Sequence, residues 1–545
     1  LTGGKEIDRG ETIFGIRTIE FDKTNGFRLN GRRVPIQGVC NHHDLGALGT
    51  AVNRRAIERQ VEILKRMGAN AIRTSHNPPA PELLDAADRL GMLVLDEAFD
   101  EWRTTKVKNG HGKYFDEWGA RDLTDMIRRD RNHPSVIMWS IGNEVPDQGT
   151  PDGRTIARQL TAICHREDPT RPVTAGFNQI DDAIKNGLTE EVDIVGFNYG
   201  ARRYQSLIKA HPDWIVLATE TASTVSSRGV YHLPIEKYQK HPSHQLSSYD
   251  IIAPPWAYAP DVEFDALDRS PSVLGEFVWT GFDYLGEPTP YFNSGSDRKA
   301  DWPARSSYFG IVDLAGIPKD RFYLYQSRWS SVPMVHLLPH WNWADRAGQS
   351  IPVFVYTNAE EAELFLNGKS LGTRKKGAEP VEIPVDGRNI KPGIFATPYR
   401  IAWNVPWQAG TLRVVARSGG REVASDEVKT AGSPARVTLV ADRNAIRADG
   451  DDLSFVTVRI EDEQGNLCPL ADNLLRFSVT GAGTIAAVDN GNAATTEPFQ
   501  ASERKAFSGM AMLIVRSVKG KPGEVRVAAE SDGLKASVIS LTTQP

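Results

Sequence analysis

The chain has 545 residues, enough for about three domains, and its 24% charged and 40% hydrophobic residues give the balance of a soluble globular protein. A net charge of −5 leaves no electrostatic footprint for nucleic acid or an anionic membrane, and no apolar run approaches the roughly 20 residues of a spanning helix. Cys40, Cys164 and Cys468 lie too far apart for metal-type spacing or a disulfide framework, so oxidising and reducing compartments both stay open.

Residues 1–22 alternate, as in F-G-I-R-T-I-E-F, and read as the last strand of an immunoglobulin-like β-domain whose body is absent. The chain starts at Leu1 with no charged-then-apolar leader, and the expectation is that residues precede it. From 23 to 330 short apolar runs alternate with helical stretches. The runs fall at 34–39, 69–73, 92–95, 136–141, 173–175, 192–197, 215–218 and 273–278. Helices are predicted at 56–66, with Ile57, Val61 and Leu64 on one face, and at 81–90, 120–129, 155–165 and 203–210. Gly68 and Gly91 stand where helix C-terminal caps belong. Eight strand–helix units fit a (β/α)8 barrel better than an open sheet.

After 330 helical periodicity fades and alternation takes over, with Asn367-Gly368 and Ser418-Gly419-Gly420 as hairpin turns. A polar joint near Thr430–Pro434 splits this part into a β-sandwich over 331–432 and an immunoglobulin-like sandwich over 433–545. Trp341, Trp343, Trp403 and Trp407 in the first sandwich read as core or interdomain packing before a sugar platform.

Barrel enzymes carry their chemistry at the C-terminal ends of the strands. The exits here are Asn41-His42-His43-Asp44, Thr74-Ser75-His76-Asn77, Asp96-Glu97 followed by Asp100 and Glu101, Asn143-Glu144, Asn198-Tyr199, Glu220, and Glu276 with Trp279 and Asp283. Taken singly, most have a plain structural reading: His42 and His76 as satisfied core histidines, Asp96 to Glu101 as a network tying loops to helices. Glu144 differs, because it ends the apolar approach W-S-I-G-N-E, from which only the last two residues reach a cavity. Glycosidic cleavage needs two carboxyl groups, one protonated and one ionised, facing each other across a sugar. Glu220, closing L-A-T-E, is the second candidate. Glu276 is its rival, expected deeper in the barrel because it lies well before its strand ends.

Five stretches, taken in order, resemble glycoside hydrolase family 2, the β-galactosidase family. They are N-G-F-R-L-N-G-R-R-V-P-I-Q-G-V-C-N-H-H-D, A-I-R-T-S-H-N-P, L-V-L-D-E-A-F-D-E-W, R-N-H-P-S-V-I-M-W-S-I-G-N-E and G-E-F-V-W-T-G-F-D-Y-L-G-E-P-T-P. T-E-T-A-S-T-V-S-S-R-G-V-Y is similar to the nucleophile segment of a bacterial subgroup with extra C-terminal β-sandwich domains. The resemblance implies a TIM barrel bearing a retaining exo-β-galactosidase, with Glu144 as acid/base and Glu220 as nucleophile about 5–5.5 Å apart. It implies that Asn143 holds the sugar 2-hydroxyl, that His42, His76, Asp44 and Tyr199 line the sugar site, and that Trp279 is the platform under the sugar. Cis peptides are implied at Ser75-His76 and Trp279-Thr280.

Some members of the family bind Mg²⁺ through a glutamate matching Glu101 and a nearby histidine. Arg103 stands about where that histidine would be, so no required metal and no cofactor is expected. The implied substrate is a β-galactoside oligosaccharide or glycoconjugate, the implied location periplasmic or extracellular, and a homo-oligomer is left open. Two alternatives remain: another exo-β-glycosidase of the family (β-glucuronidase or β-mannosidase), or a catalytically dead carbohydrate-binding protein. The glucuronidase branch uses an Asn-x-Lys motif near strand 8, which is absent between Trp279 and Arg328, where Asp283, Tyr284 and Glu287 are expected to repel a carboxylate.

Overall fold

The computed structural model describes residues 6–235, 240–291, 306–387 and 390–545, apart from the side chains of 386, 387 and 390–392. Eight parallel strands close into a barrel: β1 (Ile36–Asn41), β2 (Ala71–Thr74), β3 (Leu93–Glu97), β4 (Val136–Asn143), β5 (Val173–Phe177), β6 (Ile194–Asn198), β7 (Val216–Ala222) and β8 (Gly275–Trp279). Each of the eight apolar runs became one of these strands. They have to be apolar on both faces, because one face fills the barrel and the other lies under the helices. Every residue of β4, β5, β6, β7 and β8 is buried.

The helices are α1 (Arg54–Met67), α2 (Pro81–Leu90), α3 (Phe115–Asp130), α4 (Gly153–Glu167), α5 (Ile180–Lys185), α6 (Tyr204–Ala210), α7 (Pro260–Arg269) and α8 (Asp320–Trp329). The Asn53 side chain caps α1 by accepting from Ala56 N, and Gly68 and Gly91 end α1 and α2 in the left-handed conformation at φ 101° and 72°. Sequence periodicity missed α5, α7 and α8. α5 has only six residues. α7 and α8 bury charged side chains, Asp261 and Glu263 in one and Arg321 in the other, which blurs the apolar stripe.

The opening segment differs from its expectation. Residues 6–18 belong to no helix or strand, and pairing starts only at Ile19–Asp22, which joins Gly26–Leu29 in a small antiparallel sheet. Alternation gives a segment two faces, but a strand needs a neighbour to hydrogen-bond to. Arg17 instead ties this arm to the barrel by donating to Val136 O at 2.5 Å.

Beyond the barrel come two sheet-on-sheet units. In the first, a sheet of Val335–Leu338, Ser350–Thr357 and Ile401–Pro406 faces a four-stranded sheet across a core that includes Trp341, Trp343, Trp403 and Trp407, so these indoles pack rather than present a sugar platform. In the second, four- and five-stranded sheets enclose Val458, Leu475, Phe477, Val525 and Leu541. Both are fastened to the barrel by buried arginines. Arg400 of the first pairs with Asp261 of α7 at 2.6 Å. Arg228 of the barrel donates to the carbonyls of Asn490 and Phe507 in the second at 2.8 and 3.0 Å.

Candidate active site

One buried arginine organises the C-terminal mouth of the barrel. Arg73, fully buried on β2, donates Nε and Nη2 to Glu97 of β3 at 2.9 and 3.1 Å, Nη2 to Asn143 Oδ1 at 2.7 Å, and Nη1 to Glu220 Oε2 at 3.1 Å. Burial alone would push Glu97 up, but Arg73 and His76 more than offset it and hold this carboxyl below the usual carboxylate range. His76 Nδ1 stands 2.6 Å from Glu97 Oε1, and Ser140 Oγ donates to Glu97 Oε2 at 2.6 Å. With the Nδ1 proton turned to Glu97, Nε2 becomes the acceptor for the Asn143 amide at 3.2 Å.

Glu144 and Glu220 are joined by this network. Glu144 leaves β4 with φ 44°, and its N–H donates to Gly176 O of β5 at 2.8 Å. Its Oε1 accepts from Asn198 Nδ2 at 2.9 Å and its Oε2 from Asn178 Nδ2 at 2.8 Å. Asn198 Nδ2 also reaches Asn143 Oδ1 at 3.1 Å, while its Oδ1 accepts from Thr219 Oγ1, the residue before Glu220, at 2.6 Å. Glu220 Oε1 accepts from the Tyr199 hydroxyl at 2.6 Å. Burial, then the charge of Glu220, raises the pKa of Glu144 above the ordinary glutamate value. A carboxyl that is more readily protonated therefore stands beside one held by an arginine and a phenol.

Gly176 makes room for this cluster. A Cβ there would come within 3.0 Å of Asn198 Oδ1 and 3.2 Å of both Arg73 Nη2 and Asn143 Oδ1. The site floor is aromatic. Trp279 lies parallel to His76 at 5.1 Å and edge-on to His42 at 5.2 Å, and Tyr284 covers His42 at 4.0 Å. Burial drives His42 down to about 3, so it is neutral, and its Nε2 has no hydrogen-bond partner among the described residues. Such a buried, unpartnered ring nitrogen suits a hydroxyl of a ligand. Ser75-His76 and Trp279-Thr280 are cis.

Asp44 stands apart from the other predicted residues. Its Oδ1 accepts from Gly46 N at 2.9 Å and its Oδ2 from Leu285 N at 3.0 Å, so it ties the loop after β1 to the loop after β8. Asp283 is likewise withdrawn, paired with Lys319 at 2.7 Å in the interior. Glu276 is buried as expected but outside the barrel. It accepts from Thr221 Oγ1 at 2.8 Å and faces Glu263 of α7.

The Asp96 to Glu101 stretch splits. Asp96 is buried beside Asp130 of α3 and is pushed up by burial and that neighbour. Asp100 accepts from Lys106 Nζ at 2.6 Å and Asn143 Nδ2 at 3.2 Å at the site itself. Glu101 accepts from the N–H groups of Lys106 and Gly112 at 2.5 and 2.7 Å. Arg103 pairs with Asp116 and Asp152 at 2.9 and 3.1 Å. Among the described residues no cluster of three or more metal-type side chains occurs.

Sequence reasoning passed over Arg73 and Asn178, and gave Glu97 and Asp100 a structural role, whereas both bond groups of the site. Arg73 was legible in principle: an arginine inside the buried run A-I-R-T requires buried carboxylates, and D-E ends the neighbouring strand. Asn178 comes from the exit of β5, where the predicted run at 173–175 stopped short.

Comparison with known proteins points to one family for the barrel. The model of the glycosyl hydrolases family 2 TIM barrel domain matches residues 20–296, that of the family 2 C-terminal domain 5 matches 437–540, and a domain of unknown function matches 348–424. A β-galactosidase of Bacteroides ovatus is 43% identical over 99% of this chain and 65% of its own length. A β-glucuronidase of Bacteroides fragilis is 29% identical over 68% of this chain and 52% of its own. The crystal structure of a β-glycosidase from Bacteroides vulgatus superposes with a TM-score of 0.84 at 34% identity, covering 97% of this chain and 67% of that one. The chain thus spans about half to two thirds of the length of these relatives.

Proposed function

The chain belongs to glycoside hydrolase family 2, and from that premise we propose that it is an exo-acting retaining β-galactosidase whose acid/base is Glu144 and whose nucleophile is Glu220. The observation that carries this reading is the shared network: Asn198 bonds Glu144 and, through Thr219, the strand of Glu220, while the charge of Glu220 raises the pKa of Glu144. Protonated Glu144 donates to the departing glycosidic oxygen as Glu220 attacks the anomeric carbon, giving a covalent glycosyl–enzyme. Esterification removes the charge of Glu220, Glu144 becomes more acidic, and as a base it takes a proton from the attacking water. Two inversions retain the β-configuration.

Asn143 is the residue for the sugar 2-hydroxyl. Arg73, His76 and Asp100 fix both ends of its amide, so little reorganisation is needed as charge develops at the anomeric centre. Trp279 offers its indole to the apolar face of the sugar, and His42 offers Nε2 to a hydroxyl. A cleft of about 510 Å³ lined by His76, Phe99, Asp100 and Val107 adjoins the site and leaves space for the aglycone. Neutral galactose is favoured over a uronic acid because the stretch after β8 carries no Asn-x-Lys motif and brings Glu287, bonded by the Tyr284 hydroxyl, near the aromatic floor. The similarity to a β-glucuronidase makes that sugar the reading to exclude.

A panel of aryl β-galactoside, β-glucuronide and β-mannoside tests the sugar. Labelling with an activated 2-deoxy-2-fluoro-β-galactoside tests the mechanism: the expected adduct sits on Glu220, and a protein left unmodified while binding galactose would be a lectin-like binder instead.

A further inference from the structure

After β7 the chain runs on from Ser223 to Ser227 as buried backbone outside any helix or strand. This segment supports the proposed nucleophile, because Ser223 Oγ bonds the Tyr199 hydroxyl that donates to Glu220. Across from it, residues 308–310 run behind the aromatic floor, where Phe309 O accepts from Thr280 N at 3.3 Å and Gly310 N donates to Asp283 at 2.7 Å. Both are irregular, and their carbonyls lack a sheet ladder to accept into. A buried carbonyl left unsatisfied costs about 1–3 kcal/mol.

Two cations at the start of α8 serve both segments at once. Arg321, 1% exposed, donates Nη1 to Thr224 O, and Nη2 to Phe309 O and Gly310 O at 2.7 Å each. Lys319, also 1% exposed, donates Nζ to Ser226 O at 2.7 Å and Tyr308 O at 3.2 Å and pairs with Asp283 at 2.7 Å. A planar guanidinium fixes the directions of its bonds, so three carbonyls gripped by one Arg321 cannot drift independently. Among the described residues Arg321 has no carboxylate within ion-pair distance, and the bonds of Nη1 and Nη2 go to main-chain oxygens.

We propose that Arg321 and Lys319 are positioning residues that lock the Tyr199–Ser223–Glu220 arm to the wall behind Trp279, so that α8 sets where the nucleophile stands relative to the sugar. The inference rests on Glu220 being the nucleophile. A shift of about 1 Å in a reacting group can cost on the order of 100-fold in rate, so the clamp matters to turnover as well as to folding.

The test uses the full chain with Arg321→Met, Arg321→Lys, Tyr199→Phe and the Arg321→Met/Tyr199→Phe pair. The first readout is amide exchange at Val225 and Ser226, whose N–H groups bond Ile252 O and Tyr308 O at 2.9 and 3.0 Å. It needs no substrate. Exchange there should quicken in Arg321→Met while that of β4 stays unchanged, and unaltered exchange at 225 and 226 overturns the clamp whatever the sugar. The second readout is the rate of covalent labelling of Glu220 by the 2-fluoro glycoside that the wild type accepts. Labelling should slow about 100-fold in Arg321→Met, recover in part in Arg321→Lys, and fall no further in the double variant than in its slower parent. Fully additive losses would mean that the arginine acts elsewhere and overturn the proposal. If Arg321→Met does not fold, Lys319→Met and Arg321→Lys carry both readouts. A wild type labelled by no glycoside defeats the functional reading, and the exchange result then decides the clamp.

Discussion

Glu220 and Glu276 sit on adjacent barrel strands and are both almost fully buried, yet they meet opposite environments. Glu220 points into the mouth, where Arg73 and Tyr199 bond it and where Arg73 also holds Glu97 below the usual carboxylate range. Glu276 points out under the helices, where Thr221 is its partner and Glu263 its neighbour; burial and that neighbour push it up to about 8. Glu263, bonded by the hydroxyls of Tyr204 and Tyr258 at 2.7 and 2.6 Å, is pushed up by burial to about 7. Among the described residues neither outer carboxyl has an ion-pair partner. Burial pushes the outer carboxyls Glu276 and Glu263 up, whereas Glu97, equally buried but beside Arg73, is held down, and the same arginine bonds Glu220.

The largest effects should follow from breaking the inner cluster. Glu144→Gln should lower kcat/KM by about 10⁴-fold on substrates with poor leaving groups and far less on activated aryl glycosides, since general acid catalysis contributes about 10²–10⁴. Equal losses on both would remove Glu144 from the acid role. Glu220→Gln should be inactive, whereas Glu276→Gln should keep wild-type kcat, and a dead Glu276→Gln variant would reverse the roles of the two glutamates. Glu220→Gln should also lower the pKa of Glu144, read by carboxyl NMR titration, because the charge that raises it is gone. Next in size comes Arg73→Met. Removing one partner of a buried pair costs about 3–5 kcal/mol, so urea unfolding should show a loss of that order, with activity lost as well. Arg73→Lys should restore part of the stability but little activity, because it keeps the charge without the fork that serves Glu97, Asn143 and Glu220 together.

The contrast explains which parts of the molecule the sequence reveals. Eight apolar runs announced eight strands, since a strand covered on both faces has to be apolar along its length. The glutamates at 144 and 220 showed because each ends such a run. The supporting residues hid for two reasons. Arg73 lies within a run that looks purely structural, Asn198 stands at an exit beside Tyr199, and the roles of both depend on which strands become neighbours across the barrel. α7 and α8 hid because Glu263 and Arg321 place charge on faces that burial would predict to be apolar. Alternation at residues 14–21 suggests a longer strand than forms, since periodicity gives no sign of a pairing partner. Asp44 is placed at the sugar site by the family resemblance alone, and here main-chain N–H groups of Gly46 and Leu285 bond one oxygen each.

The outer pair makes a smaller prediction, on stability. A carboxyl whose folded pKa is raised binds its proton more tightly in the native state, so its stabilising contribution is complete below about pH 4.5 and is lost as pH rises through its folded value. For Glu276 and Glu263 the decline therefore runs from about pH 4.5 up to about 8 and about 7. Tm measured across this range should fall with pH in the wild type and fall less steeply in Glu276→Gln and Glu263→Gln. An unchanged slope would mean that each carboxyl meets a cation in solution, and the difference between the two faces of β7 and β8 would disappear.

The smallest effect should come from chelation, which sharpens the comparison with a third acid. Among the described residues Glu101 has no ion-pair partner: main-chain N–H groups of Lys106 and Gly112 take up its oxygens. Arg103, where the family's metal-binding members carry histidine, is spent on Asp116 and Asp152. A divalent ion would have to displace those N–H groups while a guanidinium stood nearby, an unfavourable exchange for a hard cation that seeks several oxygen ligands. EDTA should therefore change kcat/KM by less than about twofold, below the roughly 0.5 kcal/mol of an ordinary surface perturbation. A tenfold loss restored by Mg²⁺ would show that Glu101 gives up its backbone partners, and that the loop at 101–112 rearranges to hold the ion.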